Sequence, residues 1–253
     1  MADDSLILKA EKISKTFLNP EGAVLNLLQE VSLEVRKGEL VTLLGASSSG
    51  KSTLLRILAG VENPDSGSVR FTQLRDKGVS LALIPTGASS LPWLNVRDNV
   101  RLGINEGTGN GEAAIKKAIS LTGLDGYESH IPANKSTGFR FRISLARALA
   151  SDPKVILIDD ALRDLNQERK IAYYGLLRGI LRREGPGILY VTNDVTEAML
   201  LSDRILLLGS KPGRIVKEFS LAKTGLPEAA DLRKEDNNRI KQEIEAFFYA
   251  EVR

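Results

Sequence analysis

Cysteine is absent from the 253-residue chain, which excludes disulfides, thiolate metal sites and cysteine nucleophiles. Histidine and tryptophan occur once each, as His130 and Trp93. No apolar run reaches the roughly 18 residues needed to cross a bilayer as a helix, and the start at residues 1–5 is acidic rather than shaped like a signal peptide. The chain is therefore expected in the cytosol unless a partner takes it to a membrane. Lys and Arg number 35 against 32 Asp and Glu, a net charge of +3 without a basic run, so a solvated mixed surface is expected and a nucleic-acid patch is not. With 42% hydrophobic and 26% charged residues, the composition suits one α/β domain, or one carrying an inserted subdomain.

What is present is ELVTLLGASSSGKSTLLRILAG over residues 39–60. Residues 40–44 form an apolar run of strand length, and Leu54, Leu55, Ile57, Leu58 and Ala59 repeat at helical spacing. Between them, Gly45, Ala46, Ser47, Ser48, Ser49, Gly50, Lys51 and Ser52 match G-x-x-x-x-G-K-[ST] throughout. The two glycines let the loop curl so that backbone N–H groups and the helix N-terminus face phosphates. Lys51 can reach the outer phosphates, and the Ser52 hydroxyl can ligate magnesium. A Gly/Ser turn that binds nothing is the competing reading, and the strand before it and helix after it argue against that.

The rest of the chain reads as alternating elements. Residues 5–14 and 27–35 have strand character, giving an N-terminal antiparallel sheet, and 68–72 and 79–84 read as further strands. Phe17 is expected in a loop, either stacking on a purine or packing. Residues 85–95 (PTGASSLPWLN) break the pattern, and Trp93 beside Pro92 is either packed inside or a partner contact. Helical patterns at 96–104, 113–121 and 139–150 make an insertion between two blocks of strands. Residues 155–158 read as a central parallel strand ending in Asp159 and Asp160. A polar-faced helix follows at 167–183, then a buried strand at 188–192, a helix at 195–201, and strands at 205–208 and 214–219 closing a sheet edge. A terminal amphipathic helix at 232–252 places Ile240, Ile244, Phe247 and Phe248 on one side.

This order, with ARALASDPKVILIDD and LYVTNDVTEAMLLSDRILLLGSKPGRI after the phosphate loop, resembles the ATP-binding subunits of ABC transporters along essentially the whole chain. LPWLNVRDNV and SDRILLLGSKPGRI look most like the nitrate, sulfonate and taurine branch of the importers. The resemblance implies an α/β fold: a P-loop NTPase core (1–87 and 152–220), an N-terminal antiparallel β subdomain, a helical insertion (88–151) and a helical tail (221–253). It implies ATP and Mg²⁺ as cofactors, and a dimer with itself or a homologous ATP-binding subunit, the nucleotides lying between the phosphate loop of one and the signature segment of the other. It also implies permease subunits docked on the loop around Trp93, and a place on the cytoplasmic face of the membrane.

Carried over residue by residue, the resemblance gives the phosphates to 45–53, including Thr53. It gives adenine to Phe17 and magnesium to Ser52 and, through water, Asp159. Elsewhere the chain departs from the pattern. Asp160 stands where a catalytic glutamate is expected, Asn193 where the switch histidine is, and Thr86 where a magnesium-binding glutamine is. The signature segment keeps Ser136 and Gly138 but has Lys135, Thr137 and Phe139 around them, and Asn166 replaces an aspartate. Asp160 is one methylene short, which places its oxygens roughly 1 to 1.5 Å short of the attacking water and can reduce the rate about a hundredfold. Asn193 can exchange hydrogen bonds but carries no charge to the γ-phosphate. Thr137 and Phe139 are expected to crowd a helix N-terminus that would otherwise approach a phosphate. The expectation is retained MgATP binding with weakened hydrolysis; the alternative is an ATP-dependent structural or regulatory subunit without turnover.

Overall fold

The computed structural model describes residues 5–18, 21–72, 81–87, 89–104, 111–133, 135–210, 212–221 and 235–252. Val79 and Leu232, where a strand and the terminal helix are expected to begin, lie outside the described residues. β1 (Leu6–Leu18) and β2 (Val24–Arg36) form a long hairpin, and β4 (Ser66–Phe71) pairs antiparallel with β1, giving a three-stranded sheet in the order β2-β1-β4. The second sheet has six strands in the order β5-β6-β7-β3-β8-β9. Its members are β3 (Leu40–Gly45), β5 (Leu81–Ile84), β6 (Val155–Asp159), β7 (Gly187–Thr192), β8 (Arg204–Leu208) and β9 (Ile215–Ser220). β5 to β8 and β3 run parallel, and β9 closes the edge antiparallel. That edge therefore belongs to β9, with β8 inside the sheet and β5 at the opposite edge.

The run of apolar residues in β3, β6 and β7 follows from coverage of the sheet on both faces. Side chains alternate: Val41, Leu43, Leu157, Leu189 and Val191 pack with α1 (Lys51–Leu58) and the antiparallel sheet. Leu40, Ile156, Ile158, Ile188 and Tyr190 pack the other way, toward α4 (Thr137–Ala150) and α5 (Gln167–Glu184). Leu44, Ile205 and Leu207 meet α6 (Val195–Leu201) and α7 (Glu235–Val252). On α7, Ile244 and Phe248 are buried and Ile240 packs beside them, whereas Phe247 stays exposed against the expectation of one common face. α2 (Val96–Arg101), α3 (Gly111–Leu121) and α4 enclose their own cluster around Val96, Val100, Ile115, Ile119 and Ile143. α4 belongs to both layers, since Phe141 and Leu145 face the core sheet.

The turn from α6 to β8 is fixed by a buried carboxylate. Asp203 accepts the Leu40 N–H through Oδ2 (2.8 Å) and Arg178 Nη1 through Oδ1 (2.7 Å), tying the start of β3 to α5. The Asp203 and Arg178 side chains are only 6% and 13% exposed, so neither charge is left to water. Asp203→Ala would strand the guanidinium and a strand N–H together. It is expected to lower unfolding stability by about 3 kcal/mol, measured as a shifted urea midpoint at an unchanged slope.

Candidate functional site

β3 carries the phosphate loop to the C-terminal edge of the six-stranded sheet, where parallel strands present their ligand-binding ends. Steric room is used up on every side of the loop. A Cβ on Gly45 would lie 2.8 Å from the Leu208 carbonyl oxygen and 2.9 Å from Ser49 Oγ. Gly50, the N-cap of α1, has φ +98°, and a Cβ there would lie 2.7 Å from Leu28 Cδ2. Both requirements are met only by glycine. Ser48 also takes a left-handed φ of 65°, and Ser49 closes the turn by donating its N–H to the Ala46 carbonyl (3.3 Å).

Gly213, which no motif singles out, braces this loop. Its N–H donates to the Leu27 carbonyl (2.8 Å) and its own carbonyl accepts from Gln29 N–H (2.9 Å). A Cβ on it would run into the Ser49 carbonyl oxygen and lie 3.0 Å from that of Leu27. The β1–β2 hairpin is thereby stitched to the back of the cradle through backbone alone.

Lys51 opens α1 and folds back over the loop. Its Nζ donates to the carbonyls of Gly45 (2.8 Å) and Ala46 (2.5 Å) and lies 3.4 Å from Ser49 Oγ. Burial pushes its amine down to about 8, with the carboxylates of Asp160 and Asp159 pulling the other way. A desolvated ammonium at a helix N-terminus fits a polyphosphate chain. Asp159 ends β6, is buried, and acts on Lys51 together with Asp160. Thr53 is buried in α1 and Ser52 is half-buried in its first turn. Thr86 is exposed two residues past β5, the strand paired with β6, so it lies at the same sheet edge as Asp159. No group of three acidic or histidine side chains gathers among the described residues. Ser52 and Asp159 offer a hydroxyl and a carboxylate, oxygen ligands of the kind magnesium takes.

Asp160 has a left-handed φ of 44° and donates its N–H to the Val191 carbonyl (3.0 Å). Its Oδ2 accepts both Arg163 Nη2 (2.5 Å) and Arg163 Nε (2.7 Å). Burial pushes its carboxyl above the ordinary range, against the pull of Arg163 and Lys170. Asn193 is exposed and reaches the loop from β7, its Nδ2 lying 3.4 Å from Ser47 Oγ. Behind it sits a buried network. Glu197 Oε2 accepts from Thr192 Oγ1 (2.6 Å), and its Oε1 accepts from the hydroxyls of Tyr190 (2.9 Å) and Tyr174 (3.2 Å). Lys170 lies 3.7 Å from Glu197 and 3.9 Å from Asp194. Asp194 accepts the Glu197 N–H as the N-cap of α6 and is 3.3 Å from Gln167 Nε2, one residue past Asn166, the N-cap of α5. This network joins the segment after β6 to the segment after β7.

Phe17 is in the last part of β1, paired with Leu25, and not in a loop. The hairpin runs longer than expected because Thr16 is pinned by Asp65, which accepts its N–H and its hydroxyl at 2.7 Å each. Phe17 is 39% exposed, with Lys15 Nζ 5.5 Å from the centre of its ring. Ser136 N-caps α4 by accepting the Phe139 N–H (3.3 Å). Gly138 is buried on Tyr173 of α5, whose hydroxyl fills the space of a Cβ. Phe139 does not crowd the helix end as expected. Its ring turns in against Tyr127, with centroids 5.5 Å apart, and joins the helical cluster. Trp93 is 70% exposed, which rules out burial against the helical insertion.

Gly213→Ala tests the brace. Because backbone oxygens meet the new methyl, the loop must shift, and MgATP affinity is expected to fall about tenfold or more, read by equilibrium titration with a fluorescent ATP analogue.

Residues 28–163 match the family model described as ABC transporter. Over 219 residues the chain is 38% identical to the taurine import ATP-binding protein TauB of Burkholderia pseudomallei, spanning 85% of this chain and 84% of that one. Over 249 residues it is 32% identical to the nitrate import ATP-binding protein NrtD of Synechocystis, spanning 96% and 92%. The fold is similar to the dimeric post-hydrolysis state of the ATP-binding cassette MJ0796 bound to ADP and Pi, with TM-score 0.73 and 25% identity over 86% of this chain and all of that one. With a complete phosphate loop on β3, a carboxylate ending β6 and these relatives over nearly its whole length, the chain belongs to the ABC transporter family.

Proposed function

We propose that this chain is the ATP-binding subunit of an importer for a small sulfonate or oxyanion. In this reading it binds MgATP at the interface of a cassette dimer and hydrolyses it weakly. The observation that carries the reading is the cradle itself: glycines with no room for a Cβ at 45 and 50, and Lys51 buried among its carbonyls. Phosphates take the place of those carbonyls as Lys51 partners, Phe17 offers its ring to adenine, and Ser52 and Asp159 hold magnesium. Magnesium, when bound, draws charge from the β- and γ-phosphate oxygens. Ser136 and Gly138 serve the nucleotide of the opposing subunit.

In hydrolysis the water oxygen bonds to the γ-phosphorus as the bond to the bridging oxygen breaks. The electron pair leaves on ADP and the water proton passes to a carboxylate, here Asp160. Asp160 is short and already bonded to Arg163, and Asn193 brings no charge. Those contacts also favour a second reading, an ATP-dependent structural or regulatory subunit that dimerises without turnover. Steady-state ATPase in the presence of the membrane subunit separates the two.

Two expectations test the proposal. MgATP binding should be lost on Lys51→Ala, and equal affinity in wild type and variant would refute nucleotide binding at this loop. For the partner, Trp93 is 70% exposed, which leaves its ring available to a permease helix. Trp93→Ala is expected to weaken assembly with the permease by about 2 kcal/mol, with melting temperature and ATP binding unchanged. Wild-type affinity for the permease in co-purification titrations would remove Trp93 from that contact.

A further inference from the structure

We propose that Arg163 is a positioning residue that keeps Asp160 out of the reaction: the guanidinium, laid across the carboxylate, holds it away from the water that would attack the γ-phosphate. The proposal rests on the functional reading above and adds to it an intrachain brake.

Three features of the geometry lead there. The backbone of Asp160 cannot swing, since its N–H is given to Val191 on β7 and its φ of 44° lies in the left-handed region. Both guanidinium bonds, at 2.5 and 2.7 Å, fall on the same oxygen, Oδ2, which fixes the turn of the carboxylate and occupies the lone pairs of that atom. The carboxylate itself is 7% exposed whereas the Arg163 side chain is 58% exposed, so the arginine forms the outer wall and the carboxylate the inner one. Lys51, Lys170 and Asp159 are the other charged groups acting on Asp160 from the neighbouring elements. Arg163 is the one of these that bonds it directly among the described contacts. A general base must turn a free oxygen toward the water it deprotonates, and here Oδ2 is taken and the direction of Oδ1 is fixed by a residue one turn further along the same chain.

The arginine could instead stabilise charge on the γ-phosphate, and the two roles predict opposite signs. If Arg163 restrains Asp160, Arg163→Ala should raise kcat about fivefold or more, with KM for ATP and the affinity for MgATP within about twofold of wild type. Melting is expected to fall rather than rise, because removing the arginine leaves a buried carboxylate without its partner. Arg163→Lys, which keeps the charge, should stay near the wild-type rate. NMR of the arginine Nε–H groups in the nucleotide-free protein gives a readout independent of turnover: the Arg163 signal should be protected from solvent exchange and lose that protection in Asp160→Asn. An unchanged or lower kcat in Arg163→Ala, with MgATP binding intact, overturns the proposal alone. Absence of MgATP binding in wild type and variant overturns the functional reading and this proposal with it.

Discussion

The whole molecule is arranged around one backbone path, the passage of β3 through a tight loop into α1. β3 is bonded on one side to β7 and on the other to β8, so the loop emerges from the most enclosed part of the sheet. Its neighbours deliver the remaining chemistry to the same edge. β6 brings Asp159 and Asp160, β7 brings Asn193, and the end of β8 supplies the carbonyl that leaves no room for a side chain at Gly45. Parallel pairing aligns the carboxyl ends of these strands, which is why residues more than a hundred positions apart meet at one lysine.

The second constraint acts from behind. The β1–β2 hairpin touches the loop through Leu27, Leu28 and the bridge to Gly213. The ring of Phe17 is carried by the same hairpin, so the aromatic ring and the phosphate cradle are held by one piece of structure. The buried Glu197 network does the corresponding work between α5 and α6. Lys170 and Glu197 neutralise each other, and three hydroxyls fill the remaining acceptor positions, as a buried carboxylate requires.

The departures at the chemical positions have unequal weight once their surroundings are known. Phe139 is absorbed by the helical cluster and does not obstruct the end of α4, so Thr137 is the remaining added bulk there. Asn193 keeps its position against Ser47, which preserves contact but not charge. In the proposed reading Asp160 carries the heaviest change, because its short side chain is combined with a partner, Arg163, that bonds it directly. A weak hydrolase and a binding-only subunit differ mainly in what becomes of that carboxylate.

Sequence alone determined the elements whose signals are local. The loop 45–52 is a contiguous pattern, and β3, β6 and β7 are continuous apolar runs. Tertiary structure decided whatever depends on a neighbour distant in the chain. Phe17 became part of a strand because Asp65 extends the hairpin, and Gly213 became a brace because Ser49 and Leu27 come to lie beside it. Gly138 owes its place to Tyr173, and Trp93 stays outside because the helical insertion fills its own core without it. Spacing of three residues makes the Asp160–Arg163 pair conceivable from sequence, yet only a left-handed backbone anchored to Val191 turns the carboxylate to meet the guanidinium. Periodicity and motifs report on a residue's chain neighbours; contact, burial and the direction of a side chain are set by which other elements the sheet brings alongside.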